Sequence, residues 1–554
     1  MKGMRNWKIN FIFFLFLLAG LAIVARLADL QIRKGSLYEA MALGQQSGDE
    51  TPTIKRGGIF LQNGEQNGGI SLAQTLSKTV FYISPKTFSP AVLESEGDYL
   101  AAFFGTSKDE LLKNFQEGDL LKTEIPEQKV DELRSYLKKK NLTGLWLEDV
   151  LTRYYPQNRF ASQLLGFVNS DGRGQYGLES YYDNLLSGRD ISAGEVAVEK
   201  GADIFLTIDY NVQYFAEKAL KQAKQNWDID SGQIIVEEPR TGRIVALANI
   251  PSFDCNDYGK ETDLGVFVNA VTQKLFEPGS IFKPITMVAG LEEKVVTPEM
   301  TYIDEGFVNV GGKNIYNFGK RVWGEQMMID VLEESINTGA VFVEQQLGSD
   351  ILWRYIKAFG FLEKTDIDLP GEVASVNEGL KHGYPRDFAT ASFGQGVMVT
   401  PIQLVRAYGA IANNGQMMQP YVVEKIVQPN GQVIMNQPKV VKQVISEATA
   451  AKITAMLISV VKNGAGRAAK IPGYYITGKT GTAQVPIKGG YSDTETIQSF
   501  VGYFPALNPR YLVLIKLDDP KGVDSSGHSA AVMFHDVAKY IIDLKQIPPS
   551  PDAP

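Results

Sequence analysis

Three short triplets, far apart in the chain, constrain its fold more tightly than any other feature. Ser280-Ile-Phe-Lys283 follows Phe276-Glu-Pro-Gly279, Ser335-Ile-Asn337 follows the acidic pair Glu333-Glu334, and Lys479-Thr-Gly-Thr482 sits inside the glycine-punctuated stretch 476–484. They occur in that order, 55 and then 144 residues apart. A serine hydroxyl is a poor nucleophile until a base stands beside it. Helix positions three apart share a face, about 5–6 Å between Cβ atoms, so Lys283 can reach Ser280. Burial can lower a lysine's pKa until it accepts the proton. Pro278-Gly279 reads as a turn that brings Ser280 into the first turn of a helix, where unpaired N–H groups point at incoming oxyanions. The spacing alone is common: Ser135 and Lys138 repeat it within residues 132–140, which read as a solvated helix face. Taken singly, the triplets are a capped helix start, a helix-borne turn and a strand-to-turn junction. Their order and company set them apart.

A chain of 554 residues is too long for one core and should divide into two or three domains. A net charge of −8, with no basic run interleaved with aromatics, argues against a nucleic-acid partner. The single cysteine, Cys255, excludes an internal disulfide and a Cys-rich metal site. His382, His528 and His535 are scattered and form no His-Glu-x-x-His pattern. That speaks against a zinc hydrolase and a Ser-His-Asp triad, and no metal or cofactor is expected.

Residues 9–25 form an uncharged, mostly apolar run, about 26 Å long as a helix, at the short end for spanning a bilayer. Lys2, Arg5 and Lys8 precede it and place residues 1–8 in the cytoplasm. A cleaved signal peptide is the alternative. However, the run is long for such a segment and passes into Arg26–Ile32 without a small-x-small cleavage site. An uncleaved anchor puts the rest of the chain outside the cytoplasm, where chemistry runs without ATP.

Residues 27–42 continue as a helix, and 79–83 read as β, with amphipathic helices near 108–116 and 127–140. A strand over 203–209, a helix through Lys224 and a hairpin over 233–248, turned at Arg240–Gly242, come next. Residues 265–465 read as largely helical; strands are expected at 473–477, 499–503 and 511–517, then a helix near 529–544. The pattern suggests an antiparallel sheet sandwiched by helices, and the proline-rich residues 546–554 read as a flexible tail. Gly172-Arg-Gly-Gln-Tyr-Gly177, with Glu195 and Glu199 downstream, matches a dinucleotide fingerprint, but no further βαβ units follow. Glu148-Asp149 is similar to an acidic glycosyltransferase motif without its His-x-Gly.

Ser-x-x-Lys, Ser-x-Asn and Lys-Thr-Gly in this order are the signature of class A β-lactamases and penicillin-binding proteins. The chain resembles a class B penicillin-binding protein, a single-pass peptidoglycan D,D-transpeptidase. Further likenesses are Arg56-Gly-Gly-Ile59 with Asn63-Gly64, Arg153-Tyr-Tyr-Pro156, Gly177-Leu-Glu179, Leu185–Gly188, Leu206–Asp209, Thr241-Gly242, Asn269-Ala270 and Gly394-Gln-Gly396. Leu61-Gln62 departs from the Asp-Arg usual in the family. Phe-Glu-Pro-Gly before Ser280 and Lys479-Thr-Gly-Thr-Ala483 look more like the cell-division branch than the elongation branch.

The resemblance implies an α+β multidomain protein. Its parts are the transmembrane helix 9–25, a mixed α/β pedestal or dimerisation-type domain over 26–200, and a transpeptidase domain over 201–545 with the sandwiched sheet. It implies Ser280 as nucleophile, Lys283 as general base, Ser335 and Lys479 as proton relay, and Asn337 as a peptide-binding amide. Thr480, Gly481 and Thr482 would bind substrate, the N–H groups of Ser280 and Thr482 forming an oxyanion hole. The implied function is cross-linking of donor and acceptor stem peptides through an acyl-enzyme, in septal wall synthesis, with β-lactams as inhibitors. A membrane-embedded glycan polymerase and other division proteins are the implied partners. The alternatives are a hydrolase of the same fold, D,D-carboxypeptidase or β-lactamase, and a non-enzymatic scaffold or β-lactam sensor.

Overall fold

The computed structural model describes residues 55–61, 69–84, 90–116, 121–140, 142, 144–188, 200–487 and 490–553. The expected anchor at 9–25 and the helix at 27–42 lie outside them, as do Glu195 and Glu199. Among the described residues, no helix is long and apolar enough to cross a membrane.

The first part of the chain is built on β1 (Ile59–Leu61) and the long β2 (Ile70–Ile83), which run antiparallel. Helices α1 (Pro90–Phe104) and α2 (Lys108–Gln116) follow, then β3 (Leu121–Glu124), α3 (Glu127–Lys140) and β4 (Leu145–Tyr154). β4 pairs with β2 from Gln74 to Ile83, and β3 takes the opposite edge over 80–83. Phe81, Ile83, Leu100, Leu111, Leu133 and Leu145 close a small core between sheet and helices. Glu148 and Asp149 lie in β4, where Asp149 accepts from Thr79.

Three of the family-like elements converge on one buried carboxylate. Glu179, fully buried, accepts from Arg56 and Arg153, each at 2.7 Å, and Arg56 also bonds Asp183 at 2.7 Å. Pairing is what makes so buried a charge tolerable. The dinucleotide-like glycines serve this packing: a Cβ on Gly174 would lie 1.8 Å from the Glu179 carbonyl, and Gly177 holds φ +44°.

β5 (Asp203–Leu206) runs parallel to β1, so the strand expected to open the catalytic part completes the sheet of the preceding one. Asp209 caps α4 (Tyr210–Trp227), accepting from the backbone N–H of Asn211 and Val212. β6 (Ser231–Glu238) and β7 (Arg243–Ile250) form the expected hairpin, turned where Gly242 has φ +79°. α5 (Lys283–Glu292) then enters the core.

The stretch expected to be helical is interrupted. Residues 301–327 form two small antiparallel pairs, β8 (Thr301–Asp304) with β11 (Gly324–Met327), and β9 (Phe307–Val310) with β10 (Lys313–Tyr316). Alternating burial along these strands, with Gly311-Gly312 at positive φ in the turn, explains the departure: the local period is two. α6 (Asn337–Leu347) and α7 (Pro401–Ala412) follow, the latter opened by a Thr400–Gln403 capping box. β12 (Val423–Val427) and β13 (Val433–Met435) return to extend the first sheet beside β5. α8 (Glu447–Lys462) leads to β14 (Lys479–Ile487), β15 (Gly490–Phe504), β16 (Tyr511–Asp518) and α9 (Ala530–Leu544).

The central sheet has the order β14-β15-β16-β6-β7, antiparallel throughout. Both faces are buried, as its unbroken apolar runs require. Ile234, Val236, Val513 and Ile515 meet Val212, Leu220, Phe534 and Ile541 of α4 and α9. Ile235, Leu512 and Leu514 share the other core with Ile285, Val288, Tyr408 and Leu457 of α5, α7 and α8. The strand expected at 473–477 is absent. Thr477 replaces a ladder there, its Oγ1 donating to the Tyr503 carbonyl and accepting from the Tyr503 N–H, each at 2.9 Å. Residues 546–553, expected to be a flexible tail, are tied to that turn. Ile547 is buried, Ser550 N–H donates to Gly473 O at 3.0 Å, and Tyr474 Oη donates to Ile547 O at 2.7 Å.

Candidate active site

Ser280 sits in a single 3-10 turn, Gly279–Phe282, that runs without a break into α5. Gly279 has φ +58° and donates its N–H to Gly394 O at 3.0 Å, while a Cβ on it would press on Ala483 at 2.9 Å. Ile281 and Phe282 are fully buried and pin the turn, leaving the Ser280 side chain partly open. β14 is the edge strand of the central sheet and lies against this turn. Gly481 makes the approach possible: a Cβ there would stand 2.5 Å from Ser499 Oγ and 2.9 Å from Ile281 Cγ2.

Lys283 Nζ, all but inaccessible to solvent, reaches Ser280 Oγ at 3.0 Å, Asn337 Oδ1 at 2.8 Å and Ser335 Oγ at 3.2 Å, and also donates to the Ser335 carbonyl. Ser335 holds the left-handed conformation, φ +58°, in the link before α6, so its hydroxyl and carbonyl face one amine together. Backbone strain of this kind in a non-glycine residue is concentrated at functional sites. Lys479 Nζ, also fully buried, donates to the same Ser335 Oγ at 2.9 Å and to Thr480 O at 3.1 Å. Ser335 Oγ is therefore shared between two lysines.

Burial pushes Lys283 well below the usual lysine range, and the neighbouring Lys479 pushes it further. Burial, opposed by Glu334, brings Lys479 down to about 7. Two ammonium groups in so small a dry space repel, so one amine is left free to accept a proton.

A second layer supports Asn337. Its Nδ2 donates to the Tyr316 carbonyl at 3.1 Å, and the next residue, Thr338, donates to the buried Asp304 at 2.6 Å. Asp304 also accepts from Asn317 Nδ2 and the Trp323 N–H, so one carboxylate ties 301–327 to the start of α6. Neither Asp304 nor the Tyr316 carbonyl has a sequence signal, the first being one acid among many and the second backbone.

The candidate catalytic and substrate-binding residues named from the sequence lie here. Ser280, Lys283, Ser335, Asn337, Lys479 and Thr480 are joined by hydrogen bonds, Thr480 Oγ1 lying 3.4 Å from Lys479 Nζ. Thr482 Oγ1 instead meets Ser526 Oγ at 3.1 Å and accepts the Ser526 N–H at 3.2 Å. Ser526 was not anticipated; it lies in a run of small residues with no motif spacing. The histidines stand elsewhere. Ser525, His528 and Asp524 cluster, but both contacts use the same atom, His528 Nδ1, so they do not pass through the ring, and Asp524 and His528 are exposed.

The family model for the penicillin binding protein transpeptidase domain matches residues 232–539, and that for the penicillin-binding protein dimerisation domain matches 53–208. Stage V sporulation protein D of Bacillus subtilis is 33% identical over 95% of this chain and 83% of its own length. The peptidoglycan D,D-transpeptidase FtsI homolog of Mesostigma viride is 30% identical over 98% of this chain and 96% of its own. Among solved structures, penicillin-binding protein 3 of Mycobacterium tuberculosis with aztreonam superposes at a TM-score of 0.71, with 26% identity, covering 90% of this chain and 98% of that one. The chain belongs to the penicillin-binding proteins. It is a class B member with a mixed α/β, multidomain fold, and it is a transpeptidase, an acyl-transferring enzyme.

Proposed function

We propose that this chain cross-links peptidoglycan stem peptides through an acyl-enzyme on Ser280, in the septal wall, and that β-lactams acylate the same hydroxyl. The observation that carries the reading is the continuous chain Ser280 Oγ–Lys283 Nζ–Ser335 Oγ–Lys479 Nζ, with steps of 3.0, 3.2 and 2.9 Å. Ser280 Oγ attacks the carbonyl of the penultimate D-Ala while Lys283, uncharged, takes its proton. The tetrahedral oxyanion forms between the N–H groups of Ser280 and Thr482, donors of a type worth about 2.7–4 kcal/mol each. The C–N bond then breaks, and the leaving D-Ala amine receives a proton from Lys479 through Ser335. Thr480 and Thr482 hydroxyls hold the terminal carboxylate, and Asn337 holds both Lys283 and the donor backbone. An amine of a second stem peptide attacks the ester, loses its proton to the same relay and frees Ser280. No energy source beyond the expelled D-Ala bond is consumed.

This suits a site outside the cytoplasm, with residues 9–25 as anchor and the pedestal, 26–200, carrying the catalytic part, 201–545. The partners would be a membrane-embedded glycan polymerase and other division proteins. Labelling with a fluorescent penicillin tests the reaction: a persistent adduct supports transfer, and its rapid loss to water indicates a carboxypeptidase or β-lactamase. Full complementation of a depleted strain by Ser280→Ala would instead make the protein a scaffold.

A further inference from the structure

Among the described residues, seven of the 22 exposed large apolar side chains fall between Met300 and Met327. The outer face of the β9–β10 hairpin has a definite order within this cluster. Phe307 pairs with Tyr316, ring centroids 6.0 Å apart, and the next outward pair is Asn309 with Asn314, joined amide to amide at 2.8 Å. Asn314 Nδ2 reaches Tyr316 Oη at 3.3 Å, and Lys320 Nζ stands 5.4 Å from the Tyr316 ring. The inner face carries Val310 and Ile315 into a small buried cluster, while the outer rings stay exposed.

We propose that this face binds the N-acetylated glycan strand from which the donor stem peptide hangs. The proposal rests on the transfer reaction above and adds a sugar subsite to it. Three properties select this occupant. First, the face is continuous with the site: Tyr316 displays its ring outward while its carbonyl accepts from Asn337. Second, a short path joins the site to the hairpin, and the donor peptide is an extended chain of comparable scale. With the penultimate residue's carbonyl at Ser280, four residues lead back to the sugar, about 13–14 Å when extended. Three hydrogen bonds of 3.0, 2.8 and 3.1 Å, through Lys283 and Asn337, already link Ser280 Oγ to the Tyr316 carbonyl. Third, the chemistry fits: aromatic faces take the C–H side of a sugar ring, and paired amides take an acetamido group. An apolar protein partner would bury the Asn309–Asn314 pair away from water without new partners, at a cost.

The test uses the whole protein and a Phe307→Ala/Asn314→Ala variant. Saturation-transfer NMR with an N-acetylglucosamine tetrasaccharide should show contact with the sugar in the wild type and its loss in the variant. In parallel, the KM for pentapeptides attached to glycan strands should rise about tenfold, the equivalent of one good contact. The KM for free pentapeptide and the rate of penicillin acylation should not change. Absence of sugar contact in the wild type overturns the proposal and assigns the face to a protein. Equal losses on free and attached peptide also overturn it, because the face would then act only through Asn337. If the wild type failed to acylate penicillin, the reaction itself would be wrong, and the sugar titration would still report on the face.

Discussion

Ser280–Lys283 and Ser135–Lys138 have the same spacing on helical backbone but opposite surroundings. Ser135 and Lys138 are exposed on α3, a helix whose buried residues are Val130 and Leu133. There the lysine side chain stands in solvent. Lys283 begins α5 with its stem among buried side chains and its amine enclosed by Ser280, Ser335 and Asn337. The contrast shows that spacing supplies reach, whereas burial and a second amine lower the pKa of the lysine. Other elements provide both: the link before α6 delivers Ser335, and the edge strand β14 delivers Lys479.

Deleting each hydroxyl should separate the two pairs most sharply. Ser280→Ala should abolish acylation by labelled penicillin, a loss of at least about 10³-fold, and Ser135→Ala should leave the rate unchanged. If both variants labelled normally, the equivalence of the two pairs would be restored. Next, Lys283→Ala should slow acylation by about 10²–10⁴-fold, the range of a general base, whereas Lys138→Ala should not affect it. Near-normal acylation of Lys283→Ala in stopped-flow assays would move the base elsewhere.

Lys479 falls from 10.5 when unfolded to about 7 when folded, so across that window the unfolded chain binds more protons. Stability contributed at this position is full above pH 10.5, declines as pH falls towards 7 and is level below. Lys479→Met should therefore raise the melting temperature most at pH 6, by on the order of a few kcal/mol in stability, with the gain shrinking towards pH 10. Lys138→Met should stay within about 0.5 kcal/mol at every pH. Melting curves that move in parallel for the two variants would remove burial as the distinguishing cause. The smallest expected effect is that of Gly481→Ala. Its Cβ would crowd Ser499 and Ile281, costing about 1–3 kcal/mol and slowing acylation by separating β14 from the Ser280 turn.

That Ser280, Lys283, Ser335, Asn337 and Lys479 would cluster was legible because the proposed chemistry needs particular side chains at fixed offsets, and these survive as triplets. The central sheet was legible for a related reason: strands buried on both faces, such as 511–518, read as unbroken apolar runs. What the sequence hid depends on backbone or on distant partners. Tyr316 contributes a carbonyl, Ser335 a left-handed backbone, and Ser526 a hydroxyl with no motif around it. The small strands at 301–327 were hidden because four-residue strands alternating exposed and buried give too short a period to outweigh the helices on either side. The tail differs because its prolines suggest solvation, yet the buried Ile547 and the hydrogen bonds to Gly473 and Tyr474 tie it down.

The most direct test is intact-protein and peptide mass spectrometry after a short exposure to penicillin. One adduct per chain is expected, located on the peptide bearing Ser280-Ile-Phe-Lys283 and persisting for many minutes. An adduct on any other serine, Ser335 included, or no adduct on a folded protein, would contradict Ser280 as the nucleophile.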